Sequence, residues 1–208
     1  MTELEAVNIL LSIIGESPID KLSDTTVNEI TDSALANRTL TEVSRDVQAE
    51  GWNWNTDHDV PVVKDNQNQY LLESNTLAAI FSPSRYPNGQ YVQRGNKVYD
   101  RVKRTFAFGA DATQALVIDR VVYQLSWEEL PHVAQQYIVI RAGRIFSDRY
   151  LNSNAIYVYT AQDEEYARAM LIRGEERGMQ NNLLWGNDRG MGQGTGFIPA
   201  EGMRFRSV

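Results

Sequence analysis

The stretch "GWNWNTDHDV", residues 51–60, holds two of the chain's four tryptophans and one of its two histidines. Its reading decides where one kind of structure ends and another begins. Upstream, Val27, Ile30, Ala34, Leu40, Val43 and Val47 recur at helical spacing, which predicts a helix over 25–50, about 39 Å long. Gly51 is placed to end it. Downstream, helical periodicity vanishes and β-rich runs take over. In an extended 52–63, Trp52, Trp54, Thr56, His58, Val60 and Val62 share one face, with Asn53, Asn55, Asp57 and Asp59 on the other. That alternation turns His58 away from both neighbouring aspartates, so the three do not converge on a metal. The stretch reads as a seam of Gly51, Trp52, Trp54 and His58 between a helical part and a β part, with His58 half-buried.

Outward from the seam, residues 2–14 carry Leu4, Val7, Leu10, Leu11 and Ile14 at helical spacing. Thr2 and Glu5 have capping-box spacing, and Gly15 suits the position after the helix. Between 52 and 124, the runs "DVPVV", "QYLL", "LAAIF", "QYVQ", "KVYD", "RTFAF" and "ALVIDRVVYQL" alternate with turn signals. "YVQRGNKVYD" predicts a hairpin turning at Gly95–Asn96. Residues 131–150 return to helix, with Pro131 at its start and an apolar surface that predicts deep burial. A fourth helix is expected over 154–177, capped by Asn154 and packing through Ala161, Tyr166, Ala167, Met170 and Leu171. The expected fold class is α+β. A four-helix bundle (1–51 plus 125–178) receives a small antiparallel β insertion (52–124) and ends in an extended glycine-rich arm (179–208). The arm has no hydrophobic period, and its apolar islands are expected to be held by another chain.

Composition narrows the chemistry. The 208 residues are 42% hydrophobic, enough for a sizeable core, and contain no cysteine. That excludes disulfides, thiolate zinc sites and a cysteine nucleophile, and fits assembly in a reducing compartment. The longest apolar run is far too short for a membrane span, and the N-terminal stretch, with Glu3 and Glu5, does not read as a signal peptide. Residues 1–50 hold 10 acidic and 3 basic side chains, so the whole net charge of −7 lies in the first quarter. Such a segment is a poor phosphate binder but suits a surface past which DNA slides without sticking.

The candidate motifs are weak. "GMGQGTG" (190–196) lacks the preceding strand, following helix and lysine of a phosphate loop. Glu164 and Glu165, in "DEEYARAMLIRGEER", read as solvated helix carboxylates with Arg168 nearby. With Asp57 and Asp59 they are the candidates for a glycan hydrolase acting on capsule or cell wall, the alternative reading. Arg101, Lys103 and Arg104 read as a polar rim on an edge strand, with nucleic-acid contact as the sharper option. His132 reads as a surface or interface histidine. No catalytic residue, metal or cofactor is expected.

Family-like features do appear. "AVNILLSIIGESPID" resembles the opening signature of the tail tubular protein A family, the head-to-tail adaptors of short-tailed bacteriophages, through Ala6, Val7, Asn8, Ile14, Gly15, Glu16 and Pro18. Gly51, Trp52, Trp54 and Asn55 match the family's step after a long helix. "RGNKVYDR" (94–101) resembles its hairpin. "ELPHVAQQYIVIRAGRIFSDRYLN" resembles its later helix, with Ala142, Phe146 and Arg149 in step. The resemblance covers about 5–178; the arm after 180 departs from it. It implies a structural virion protein without enzymatic activity, assembled in the bacterial cytoplasm. It implies a ring of twelve copies between portal protein and tail nozzle (a tubular protein B-like partner), with tail fibres docking nearby and DNA passing through the lumen. By analogy the β loops 83–90 and 93–97 face the nozzle through Arg85, Tyr86, Asn88, Arg94 and Asn96. The arm is expected to bind the portal or a neighbouring subunit through Leu183, Leu184, Trp185, Phe197, Ile198, Arg204, Phe205 and Arg206.

Overall fold

A computed structural model describes residues 1–22, 31–109, 115–151 and 160–183. Residues 1–175 form one compact unit containing two cores, and a second unit begins at Glu176. The first helix, α1 (Glu3–Ile13), opens with the reciprocal Thr2–Glu5 capping box and is followed by Gly15 at φ +81°. The Asn8 side chain donates to the Ile19 carbonyl (3.0 Å) and accepts from the Ile19 N–H (2.8 Å), fixing the turn after the helix.

Helix α2 (Asp32–Ala49) is shorter than the periodicity implies. Thr31 is extended and its hydroxyl accepts from the Ala34 N–H, so the helix starts there; Val27 and Ile30 lie outside the described residues. A threonine that caps an N-terminus satisfies a donor that the helix leaves unpaired, and this outweighs continuation of an apolar stripe. Eighteen residues correspond to about 27 Å.

Helix α3 (His132–Leu151) is the most enclosed, burying Ala134, Tyr137, Ile138, Val139, Ala142 and Phe146. Its first bonds run from Ala134 and Gln135 N–H to the Pro131 carbonyl. Helices α1, α2 and α3 pack pairwise around this core. Helix α4 (Ala161–Leu183) differs from expectation at both ends and in its packing. Its start is capped by Thr160 and Asp163, not Asn154, which lies outside the described residues. Its end continues to Leu183, so residues 179–183 are helix rather than the start of an arm. Among its described side chains only Ala167 and Leu171 enter the buried core, while Ala161, Tyr166 and Met170 are exposed. A stripe this narrow makes α4 a flank on a three-helix core rather than an equal fourth member.

The β part is antiparallel. Strands β1 (Thr56–Val62), β5 (Leu116–Tyr123) and β2 (Thr76–Ile80) form a sheet in the order β1-β5-β2. Strands β3 (Tyr91–Arg94) and β4 (Lys97–Asp100) make the separate hairpin, closed by Arg94 opposite Lys97 with Gly95 at φ +60°. The runs "QYLL" and "RTFAF" contribute only isolated bridges. The second core gathers Tyr70, Leu72, Val98, Phe108, Leu116, Ile118 and Val121.

Between the two cores lies a buried polar clasp. The Gln48 side chain accepts from the Leu125 N–H (2.7 Å) and donates to the Leu125 carbonyl (3.3 Å) and Ser44 hydroxyl (3.1 Å). Asn55 donates to the carbonyls of Gln48 (2.8 Å) and Tyr123 (2.9 Å) and accepts from the Trp52 N–H (2.8 Å). Gln48 and Asn55 are 1% and 2% exposed, so these bonds exist without competing water. Gln48→Leu keeps most of the volume but strands the Leu125 amide. It is expected to cost about 2 kcal/mol in urea unfolding; an unchanged midpoint means that the clasp is not holding the junction. Gly51→Ala is expected to cost about 1–2 kcal/mol, since φ is +78° and a Cβ would lie 3.1 Å from Val122 Cγ2.

Candidate functional site

The seam is built differently from strict alternation. Residues Asn53–Asn55 form a 3-10 turn, and β1 begins only at Thr56. Trp52 is half-buried, and its indole N–H donates to the Val47 carbonyl (2.8 Å). Trp54 is also half-buried and packs against the helical core. His58 is exposed and belongs to neither core, which corrects its place in the seam. The buried member is Asn55. Gln48 is missed by the sequence pattern; the local signal available for Asn55 is its capping distance from Trp52.

The acidic candidates stay apart. Asp57 and Asp59 are exposed on β1, and Asp59 sits at φ +52° beside Arg85, 2.8 Å from its guanidinium. Glu164 pairs with Arg144 and lies 3.8 Å from Arg141, on the flank of α3 and α4. Glu165 is exposed, and Arg168 reaches back to Glu50 at 2.9 Å. Thus the carboxylates are divided between the sheet and the helices, with no facing pair across a cleft among these four. Among the described residues no three histidine, cysteine or acidic side chains gather closely enough to hold a metal ion.

The β loops divide into anchors and free positions. Arg85 bridges Asp59 and Asp119, whose carboxylate also accepts from the Ser82 N–H (2.7 Å). Tyr86 donates to the Val117 carbonyl (2.8 Å) and accepts from its N–H (3.2 Å). These two side chains therefore hold the 81–90 loop to β5, and burial pushes the Tyr86 phenol up. The Asn88 side chain lies outside the described set. Arg94 stacks 3.7 Å over the Tyr99 ring, and Asn96 is exposed at the hairpin tip, its carbonyl accepting from Leu72 N–H.

Beyond β4, the exposed Arg101, Val102, Lys103 and Arg104 form a basic turn. Asp100 is buried beneath it. Burial pushes its carboxyl up, but bonds from Lys103 N–H, the Gln90 amide and Val102 N–H hold it below the ordinary carboxylate value.

A shallow apolar groove of about 410 Å³ lies along the bundle, lined by Met1, Ile9, Val133, Ile140, Tyr166 and Met170 among others, with His132 at its edge. Of the arm residues, Leu183 ends α4 without a described side chain. Leu184, Trp185, Phe197, Ile198, Arg204, Phe205 and Arg206 lie outside the described residues.

Cores, clasp, anchored loops and groove make the described chain a framework rich in contact surfaces. Comparison with known families gives it a place. A family model described as tail tubular protein matches residues 4–181, spanning both the helical and the β part. The chain belongs to the tail tubular protein family. No curated protein matches it. Family membership makes the chain a phage tail structural component, with virion assembly alongside other tail parts as its setting.

The turn above Asp100 is a local test of the electrostatics. Folding favours the ionised carboxyl, so its contribution is complete above about pH 4 and withdrawn as pH falls through its depressed folded value. Exchange of the Val102 and Lys103 amides is therefore expected to speed up toward low pH beyond the intrinsic trend. Asp100→Asn should abolish that excess; an identical profile in the variant would show that another group controls the turn.

Proposed function

We propose that the chain is a ring-forming adaptor, twelve copies joining the portal vertex of a phage head to the tail nozzle. Tail fibres dock nearby, and the ring lines part of the channel through which DNA is ejected. The observation that carries this reading is the continuous family match over residues 4–181, which takes in the bundle, the clasp and the β insertion together. In that reading the paired α2, α3 and α4 surfaces hold each subunit's shape, including the bidentate Arg149–Glu42 bridge (2.9 and 3.0 Å). The exposed hairpin tip with Arg94 and Asn96 meets the nozzle. Arg85 and Tyr86 shape the neighbouring loop from behind. The acidic first quarter coats a surface that repels phosphate, so DNA slides past rather than binds. The arm clamps an adjoining component, gaining strength by tethering.

The test is assembly. Sedimentation and electron microscopy of the purified chain, alone and mixed with its portal protein, should give closed rings or rings seated on the portal. A chain that remains monomeric with portal present would contradict the adaptor reading. No arrangement among the described carboxylates favours the glycan hydrolase alternative.

A further inference from the structure

Helix α4 meets the rest of the bundle mainly through charge. Among its described side chains Ala167 and Leu171 are the buried apolar ones, while Tyr166, Met170 and Ile172 are exposed. Its polar contacts are more numerous. Glu164, Arg168 and Glu175 recur four and seven residues apart along one side of the helix. Each meets a different element. Glu164 pairs with Arg144 of α3 and lies 3.8 Å from Arg141. Arg168 pairs with Glu50, the C-cap of α2, at 2.9 Å and donates to the Tyr137 hydroxyl at 3.4 Å. Glu175 accepts from the Asn53 N–H of the 3-10 turn (3.1 Å).

Arg141 joins these contacts into one network. It lies 3.8 Å from Glu50 and 3.8 Å from Glu164, and donates to the Tyr137 hydroxyl at 3.2 Å. The guanidiniums of Arg141, Arg144 and Arg168 therefore share the carboxylates of Glu50 and Glu164, with Asp148 beside Arg144 at 3.6 Å. Loss of either shared carboxylate leaves neighbouring cations to repel each other. The side chains of Glu164 and Glu50 are 18% and 32% exposed, so water weakens the pairs only in part, while dissolved ions still reach them. Helices α1, α2 and α3 are held differently, by fully enclosed Leu10, Leu40, Val43, Ile138 and Phe146. We infer that α4 as far as Glu175 is a charge-latched strap. Glu164 and Arg168 close it onto α3 and α2, and it opens as a unit while the three-helix core stays folded. Elements that move are drawn from the least stable part of a structure. The strap gives this tail component one part that can shift as it meets others, with both cores intact.

Native-state hydrogen exchange on the full-length chain reads the latch. The amides of Ala167, Arg168 and Leu171 report the strap, and those of Ile138, Val139 and Ala142 report α3. Raising NaCl from about 0.1 M to about 1 M shortens the screening length from about 10 Å to about 3 Å. The strap amides are then expected to exchange about tenfold faster while the α3 amides keep their rates. Salt that merely strengthened apolar burial would slow them instead. In Glu164→Gln the strap amides should already exchange at the fast rate in low salt and respond little to more. Arg168→Gln breaks the Glu50 side of the latch and should move the same amides. Strap amides that keep their rates across the salt series would show that burial of Ala167 and Leu171 holds α4, and overturn the latch. Strap and α3 amides that speed up in parallel would also overturn it, since α4 would then open only with the core. The salt series uses the unaltered chain, so a variant that folds poorly does not leave the question open.

Discussion

A single glutamine side chain ties the two halves of this fold together. Gln48, near the end of α2, exchanges two hydrogen bonds with the backbone of Leu125, where the chain re-enters the helical part after the insertion. The insertion leaves at Gly51 and returns at Leu125, so both crossing points are held at one place. Asn55 completes the arrangement by bonding the end of α2 to the end of β5. Buried polar groups are costly unless every partner is present. The cost is what makes the junction specific: a different entry angle would leave Gln48, Asn55 and the Leu125 backbone unsatisfied. Gly51 adds a steric condition, because its positive φ and its approach to Val122 penalise any side chain there.

Much of this was legible from pattern. The capping box at Thr2 and Glu5, the glycine after α1, the tight hairpin at Gly95–Asn96 and the enclosed α3 follow from local chemistry that tertiary contacts did not override. Periodicity failed where the deciding interaction was long-range or where a cap competed with it. Thr31 ends the run toward α2, and α4 uses Thr160 instead of Asn154. Tyr166 and Met170 share the helical spacing of core residues, yet among the described α4 side chains it is Ala167 and Leu171 that are buried; spacing gives a stripe but not its centre. Strict alternation grouped His58 with Trp52 and Trp54, but the 3-10 turn at Asn53–Asn55 breaks that extended run before β1, and His58 is exposed. The clasp itself joins positions 77 residues apart, a pairing that no local pattern contains.

The residues that carry the family resemblance have structural roles here. Asn8 pins the turn after α1, Asp100 organises the turn after β4, Phe146 and Ala142 fill the core, and Arg149 bridges α3 to α2. None gathers into a site for bond-making chemistry. These roles suit a structural component of a phage tail that assembles with other tail parts. The structure also locates the free surfaces: the hairpin tip and basic turn on the β part, and the apolar groove on the helical part.

Hydrogen exchange at the Leu125 amide tests most directly whether the clasp makes bundle and insertion one mechanical body. If it does, this amide exchanges only through the same opening as the α3 core amides of Ile138 and Val139, and denaturant accelerates all three in parallel. Exchange at Leu125 that is a hundredfold faster and insensitive to denaturant, with α3 still protected, would contradict it and leave the insertion free to swing on its two crossing points.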